Sequence, residues 1–121
     1  MVRGVRGATT VESNTAEAIR EASRRLLSTI VDRNRIELEE IVSVFFTTTK
    51  DLDVETPAFG ARQMGWTSIP LFCMQEMEVS DGLPKCIRVL VHVNTEKLQD
   101  EIRHVYLDGA VVLRPDIAEG G

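Results

Sequence analysis

Hydrophobic and polar positions alternate along residues 2–11, with Val2, Gly4, Arg6, Ala8 and Thr10 on one side of an extended chain and Arg3, Val5, Gly7 and Thr9 on the other. The period then changes. Ile19, Ala22, Leu26 and Ile30 recur at helical spacing, and Asn14 followed three residues later by Glu17 reads as a capping box. An amphipathic helix ending near residue 33 is expected. Glu21 precedes Arg24 by three residues and Arg25 by four, spacings that support an exposed helix face by about 0.2–0.5 kcal/mol per pair. Residues 41–49 are β-branched and aromatic, as in a buried strand, and run into the polar stretch Thr48-Thr49-Lys50-Asp51.

Pro57 is placed to open a short helix through residue 64, with Gly65 to close it. Residues 70–73 read as short and extended, and Asp81-Gly82-Leu83-Pro84 is turn chemistry. The strongest strand pattern covers residues 86–94: Cys86, Arg88, Leu90 and His92 share a mixed face, while Ile87, Val89, Val91 and Val93 form an apolar one. Residues 104–107 and 110–113 read as two further short extended pieces, and the glycine-ended stretch 117–121 as a flexible tail. No repeat or linker divides the chain, so residues 1–116 form one α+β domain with a mixed sheet, one long helix and one short helix.

At 121 residues and 43% hydrophobic content, the chain buries one modest core, and a deep site is expected to borrow a wall from a second subunit. The formal net charge of -5 disfavours nucleic acid and anionic membranes. Small anionic ligands remain open, because Arg3, Arg6, Arg62, Arg88, Arg103 and Arg114 are dispersed through apolar or glycine-rich contexts. The amino-terminal residues lack the pattern of a signal peptide, and no apolar run is long enough to span a bilayer, so a cytoplasmic location is expected. Cys73 and Cys86 lack CxxC spacing and read as free thiols. His92 and His104 are too far apart, with no further ligand pair, to suggest a metal site, and no phosphate-loop glycine pattern occurs.

Taken singly, the remaining chemistry is ordinary. Arg6 and Arg88 read as exposed strand positions, Glu76 as a solvated carboxylate, Tyr106 as a core ring with a wet hydroxyl, and Cys73 as a small buried hydrophobe. Their joint order carries more information. Arg3-Gly4-Val5-Arg6-Gly7-Ala8-Thr9-Thr10, Cys73-Met74-Gln75-Glu76-Met77, Lys85-Cys86-Ile87-Arg88-Val89 and Arg103-His104-Val105-Tyr106-Leu107 together resemble the monofunctional chorismate mutases of the Bacillus type. The resemblance runs from about residue 2 to residue 116.

That resemblance implies a homotrimer in which three sheets pack into a pseudo-α/β barrel, with a site in each cleft between neighbours. It implies conversion of chorismate to prephenate, toward phenylalanine and tyrosine, without metal or cofactor. Arg88 would reach the breaking ether oxygen and Glu76 would face the ring hydroxyl and the partly positive allyl fragment. Arg6 and Tyr106 would hold the enolpyruvyl carboxylate, Cys73 would contact the hydroxyl, and the backbone of Phe72, Cys73, Met74 and Gln75 would wall the pocket. Ala58, Arg62, Leu113 and Arg114 match segments at the pocket mouth. The chain departs from the Bacillus pattern at Thr56, Phe59 and Phe72, positions on the rim.

Two other classes also fit the residues: a non-catalytic trimeric module that binds anionic metabolites, and an imine deaminase on a related trimeric fold. Glu76 opposite Arg88 separates them, since a simple anion binder gains little from a carboxylate in its pocket.

Overall fold

The structure, a computed structural model, describes residues 1–114. The expected tail at 117–121 lies outside the described residues. Five strands, β1 (Val2–Thr10), β2 (Ile41–Thr48), β3 (Leu71–Gln75), β4 (Cys86–Asn94) and β5 (Val105–Tyr106), form one mixed sheet in the order β3-β2-β4-β1-β5. Pairing is antiparallel for β1–β4 and β2–β4, and parallel for β1–β5 and β2–β3. The helices α1 (Ala16–Asn34) and α2 (Pro57–Gln63) belong to the two longer connections, giving the α+β class expected from the pattern.

Strand alternation decides which sheet face is covered. Val5, Val44, Phe46, Ile87, Val89, Val91 and Val93 point to the same side as Ile19, Leu26, Leu27 and Ile30 of α1, and all are buried. Each such side chain contributes roughly 1.5–3 kcal/mol on burial, so this single layer supplies most of the stabilisation. Close approach of the helices depends on Gly60 of α2, where a Cβ would stand 2.8 Å from the Arg20 carbonyl and 3.1 Å from Ser23 Cβ. Gly65, with φ of +91°, takes the chain out of α2 as expected.

Three local expectations are corrected. The cap of α1 is Thr15, whose hydroxyl accepts from Ala18 N at 3.2 Å. Asn14 is committed elsewhere, since its side-chain amide donates to Asp53 Oδ1 (2.7 Å) and its oxygen accepts from Asp53 N (3.1 Å). The guanidiniums expected to pair with Glu21 pair elsewhere, Arg24 with Glu17 of the same helix and with Gln63, and Arg25 with Asp108. Residues 110–113 are not extended: a 3-10 turn covers Asp108–Val112. It starts where Asp108 adopts φ of +52° and accepts from Thr9 Oγ1 at 2.9 Å and Arg25 at 2.6 Å.

Candidate active site

The sheet face turned away from the helices carries two rows of side chains in register. One row runs Tyr106, Ala8, Arg88, Thr47 and Met74 across all five strands. The next runs Arg6, Leu90, Phe45 and Phe72. Small Ala8 separates Tyr106 from Arg88 and leaves a depression, and the two rows form the floor of a cleft of about 590 Å³ whose lining includes Arg6, Glu76, Arg88 and Tyr106.

Glu76 follows β3 directly. Its N–H donates to the Thr48 carbonyl at 2.8 Å, and its carboxylate accepts the Thr47 hydroxyl. These two bonds turn the carboxylate back over the sheet, where Oε1 stands 3.4 Å from Arg88 Nε. The Arg88 side chain is 47% exposed and that of Glu76 26%. An ion pair so open to water contributes little to stability, less than about 1 kcal/mol. Its consequence is placement, with one fixed cation and one fixed anion over a largely apolar floor.

Arg6 is held from its backbone side: its N–H donates to His104 Nδ1 at 2.9 Å. Burial lowers the imidazole pKa, and the charges of Arg6 and Arg114 lower it further. Tyr106 is buried with Ala8, Cys86 and Ala110, and Leu113 packs against this group. Burial pushes the Cys86 thiol up to about 11, a rise to which Glu76 adds and which Arg88 opposes.

The sites read from the sequence do not all converge within one chain. Arg6, Met74, Glu76, Arg88 and Tyr106 share the open face, with Leu113 beside Tyr106 and Arg114 close enough to act on His104. Phe72 lies on the same face at the sheet edge, 59% exposed, its ring edge-on to Phe45 at 6.4 Å. Cys73 points the other way, paired in register with core residue Phe46. Its thiol pKa is raised by burial, against a hydrogen bond from the Ala58 backbone and the charge of Arg62. Cys73 and Gln75 line a second cleft of about 480 Å³, together with Thr56 and Pro57. Ala58 and Arg62 therefore belong with Cys73, not with Arg88.

Phe59 sits under two guanidiniums, with Arg20 Cζ 4.4 Å and Arg62 Cζ 5.6 Å from its centroid. Cys73 and Cys86 are free thiols. Among the described residues no group of three or more His, Cys, Asp or Glu is disposed to hold a metal ion, and no helix is long and apolar enough to cross a membrane.

Sequence reasoning missed Thr47, Phe45 and Leu90, which line the cleft, and His104, which holds the Arg6 backbone. The composition of residues 41–49 predicts one buried strand, whereas Phe45 and Thr47 have the opposite parity to the buried Val44 and Phe46. That parity was the available signal. For His104 there was none, because its acceptor role depends on where β5 begins.

Comparison with known proteins places nearly the whole chain in one family. Residues 2–117 match the family model for chorismate mutase type I. The chain is 48% identical over 119 residues to chorismate mutase AroH of Bacillus subtilis (strain 168), covering 98% of this chain and 94% of that protein. It is 50% identical over 118 residues to chorismate mutase AroH of Thermus thermophilus, covering 97% of each. A solved chorismate mutase from Clostridium thermocellum superposes with a TM-score of 0.89 at 51% identity, covering 90% of this chain and 97% of that one. With its sheet, its helices and nearly its whole length matched, the chain belongs to the type I chorismate mutase family.

Proposed function

We propose that this protein rearranges chorismate to prephenate, serving phenylalanine and tyrosine biosynthesis, and that Arg88 and Glu76 carry the catalysis. The single observation behind this reading is the pair itself: a guanidinium and a carboxylate 3.4 Å apart, both lining one largely apolar cleft. In the reaction the ether carbon–oxygen bond breaks as a carbon–carbon bond forms, within one molecule and with no net proton transfer. Catalysis therefore consists of holding the substrate compact and stabilising the charge that develops. Arg88 donates toward the ether oxygen as it becomes negative. It suits this task because guanidinium stays charged and presents several donors in a rigid fork.

Glu76, aimed by Thr47, meets the ring hydroxyl and the allyl fragment as it becomes positive. Arg6 and the Tyr106 hydroxyl hold the enolpyruvyl carboxylate. Leu113 and Arg114 close the Tyr106 side.

Cys73 and Arg88 lie on opposite sheet faces, which supports a site built from two copies of the chain. We assign Cys73, Gln75, Ala58 and Arg62 to a neighbouring copy in a homotrimer, while Phe72 and Met74 stay on the face of Arg88. The open face, with Phe72 and Met74 both more than a third exposed, is apolar enough to be covered by such a neighbour. A cytoplasmic location fits the free thiols.

Binding of a bicyclic diacid that mimics the transition state tests this reading. It should bind far more tightly than prephenate, and Arg88→Ala should abolish the difference. Equal affinity for mimic and product would favour a passive anion-binding module. For assembly, Arg88→Ala chains are mixed with Arg62→Ala chains. Recovery of activity on mixing supports sites shared between copies, and its absence in proven mixed trimers opposes them.

A further inference from the structure

We propose that His104 is a positioning residue for Arg6, its neutral imidazole standing in for a strand carbonyl that the short β5 does not supply. The proposal rests on the reading of the site given above, in which Arg6 holds a substrate carboxylate.

The outer edge of β1 is satisfied in three different ways. At Gly7 and Ala8 it pairs with the backbone of β5, whose register covers only Val105 and Tyr106, and Leu107 N donates to the Ala8 carbonyl at 2.9 Å. At Gly4 the edge is met by a side chain: the Gln99 amide accepts from Gly4 N at 3.2 Å and donates to Gly4 O at 2.8 Å. At Arg6, midway between, the N–H donates to His104 Nδ1 at 2.9 Å. Residues 99 and 104 thus continue the ladder through side chains where the backbone has left it.

A ring nitrogen can accept only when it carries no proton, so this bond fixes the tautomer with hydrogen on Nε2. The surroundings favour the neutral ring. His104 is partly buried, Arg6 and Arg114 both act on it, and the cleft behind it is lined by Lys97 and Arg103 as well as Asp100 and Glu101. Holding the Arg6 backbone holds the root of its exposed side chain, which leaves the sheet toward the catalytic cleft.

The test compares purified His104→Ala, His104→Asn and Gln99→Ala with wild type, using steady-state kinetics on chorismate and thermal melts. Asparagine places Oδ1 on the same Cγ as Nδ1 and keeps an acceptor there. One hydrogen bond of this kind corresponds to a factor of about 3 to 10. His104→Ala should raise KM by about that factor with kcat changed by less than about twofold, as expected for loss of uniform binding. His104→Asn should return KM close to wild type. Gln99→Ala should lower the melting temperature and leave KM unchanged. In an Arg6→Ala background, His104→Ala should have no further effect on KM.

Unchanged KM in folded His104→Ala, failure of asparagine to rescue, an equal KM rise in Gln99→Ala, or full additivity with Arg6→Ala would overturn the proposal. Imidazole ¹⁵N shifts of the wild-type protein give a readout independent of turnover and of variant folding. The Nε2–H tautomer is expected, and a dominant Nδ1–H tautomer would refute the bond. Wild type without turnover would instead sink the reading of the site, leaving the tautomer to decide the hydrogen bond alone.

Discussion

Removing the Arg88 guanidinium isolates the electrostatic part of catalysis from the fold. The side chain is 47% exposed and its ion pair with Glu76 spans 3.4 Å, so Arg88→Ala should change stability by less than about 1 kcal/mol. The flanking Ile87 and Val89, which are buried, keep β4 in place. The catalytic loss follows from the charge that the guanidinium meets. Half an electronic charge developing at about 3 Å, at an effective dielectric near 20, interacts by about 3 kcal/mol. Loss of a preorganised donor to a developing oxyanion costs about 3–4 kcal/mol in comparable sites. Both routes give a kcat reduced by about 10²- to 10³-fold. The assay is the loss of chorismate's diene absorbance, run beside a thermal melt of each variant. Arg88→Lys should fall between, keeping the charge and losing the fork. A folded Arg88→Ala protein with kcat within tenfold of wild type would refute the mechanism.

Other perturbations test the scaffold. A Cβ at Gly7 would stand 2.8 Å from Ile30 Cδ1 and 3.1 Å from Val89 Cγ1, so Gly7→Ala should cost about 1–3 kcal/mol in a urea titration. Thr15→Ala should lose about 1 kcal/mol in the same titration by removing the observed cap. Burial raises the Asp108 carboxyl pKa, but hydrogen bonds from Thr9 and Arg25 outweigh it and leave the pKa below its ordinary value. The stabilisation is therefore complete above the ordinary aspartate pKa and disappears as pH falls through the depressed folded value. The stability gap between wild type and Asp108→Asn should be constant at neutral pH and shrink only in acid. Alkylation of the native protein near neutral pH should be slow and should reach half-buried Cys73 before Cys86, whose buried thiol has a pKa of about 11. Mass mapping of the adducts decides the order.

Much of the fold was legible because one helix and one strand have strong periods. The alternation of Ile87, Val89, Val91 and Val93 against Arg88, Leu90 and His92 identified the covered and open faces of β4, and burial follows it. Local chemistry alone misplaced the cap of α1. Asn14 is a good capping residue, but its amide makes two hydrogen bonds to Asp53, 39 positions away. The segment after Tyr106 was misread for a similar reason, since its turn is set by Asp108 bonding to Thr9 and Arg25. Family resemblance supplied the candidate residues but not their geometry. Only the register, with Phe46 opposite Cys73 and Thr47 opposite Arg88, separates the two sheet faces and reveals Thr47 as the group that aims Glu76.

Conversion of chorismate to prephenate by electrostatics alone, as proposed for this protein, requires neither metal nor cofactor. Its most direct test is to add purified, chelator-dialysed protein to chorismate, follow the diene absorbance, and convert the product with acid to phenylpyruvate. Rapid loss of absorbance and phenylpyruvate in matching yield, both undiminished by chelator, are the expected result. A folded protein that leaves chorismate unchanged, or one whose turnover needs added metal, would contradict it.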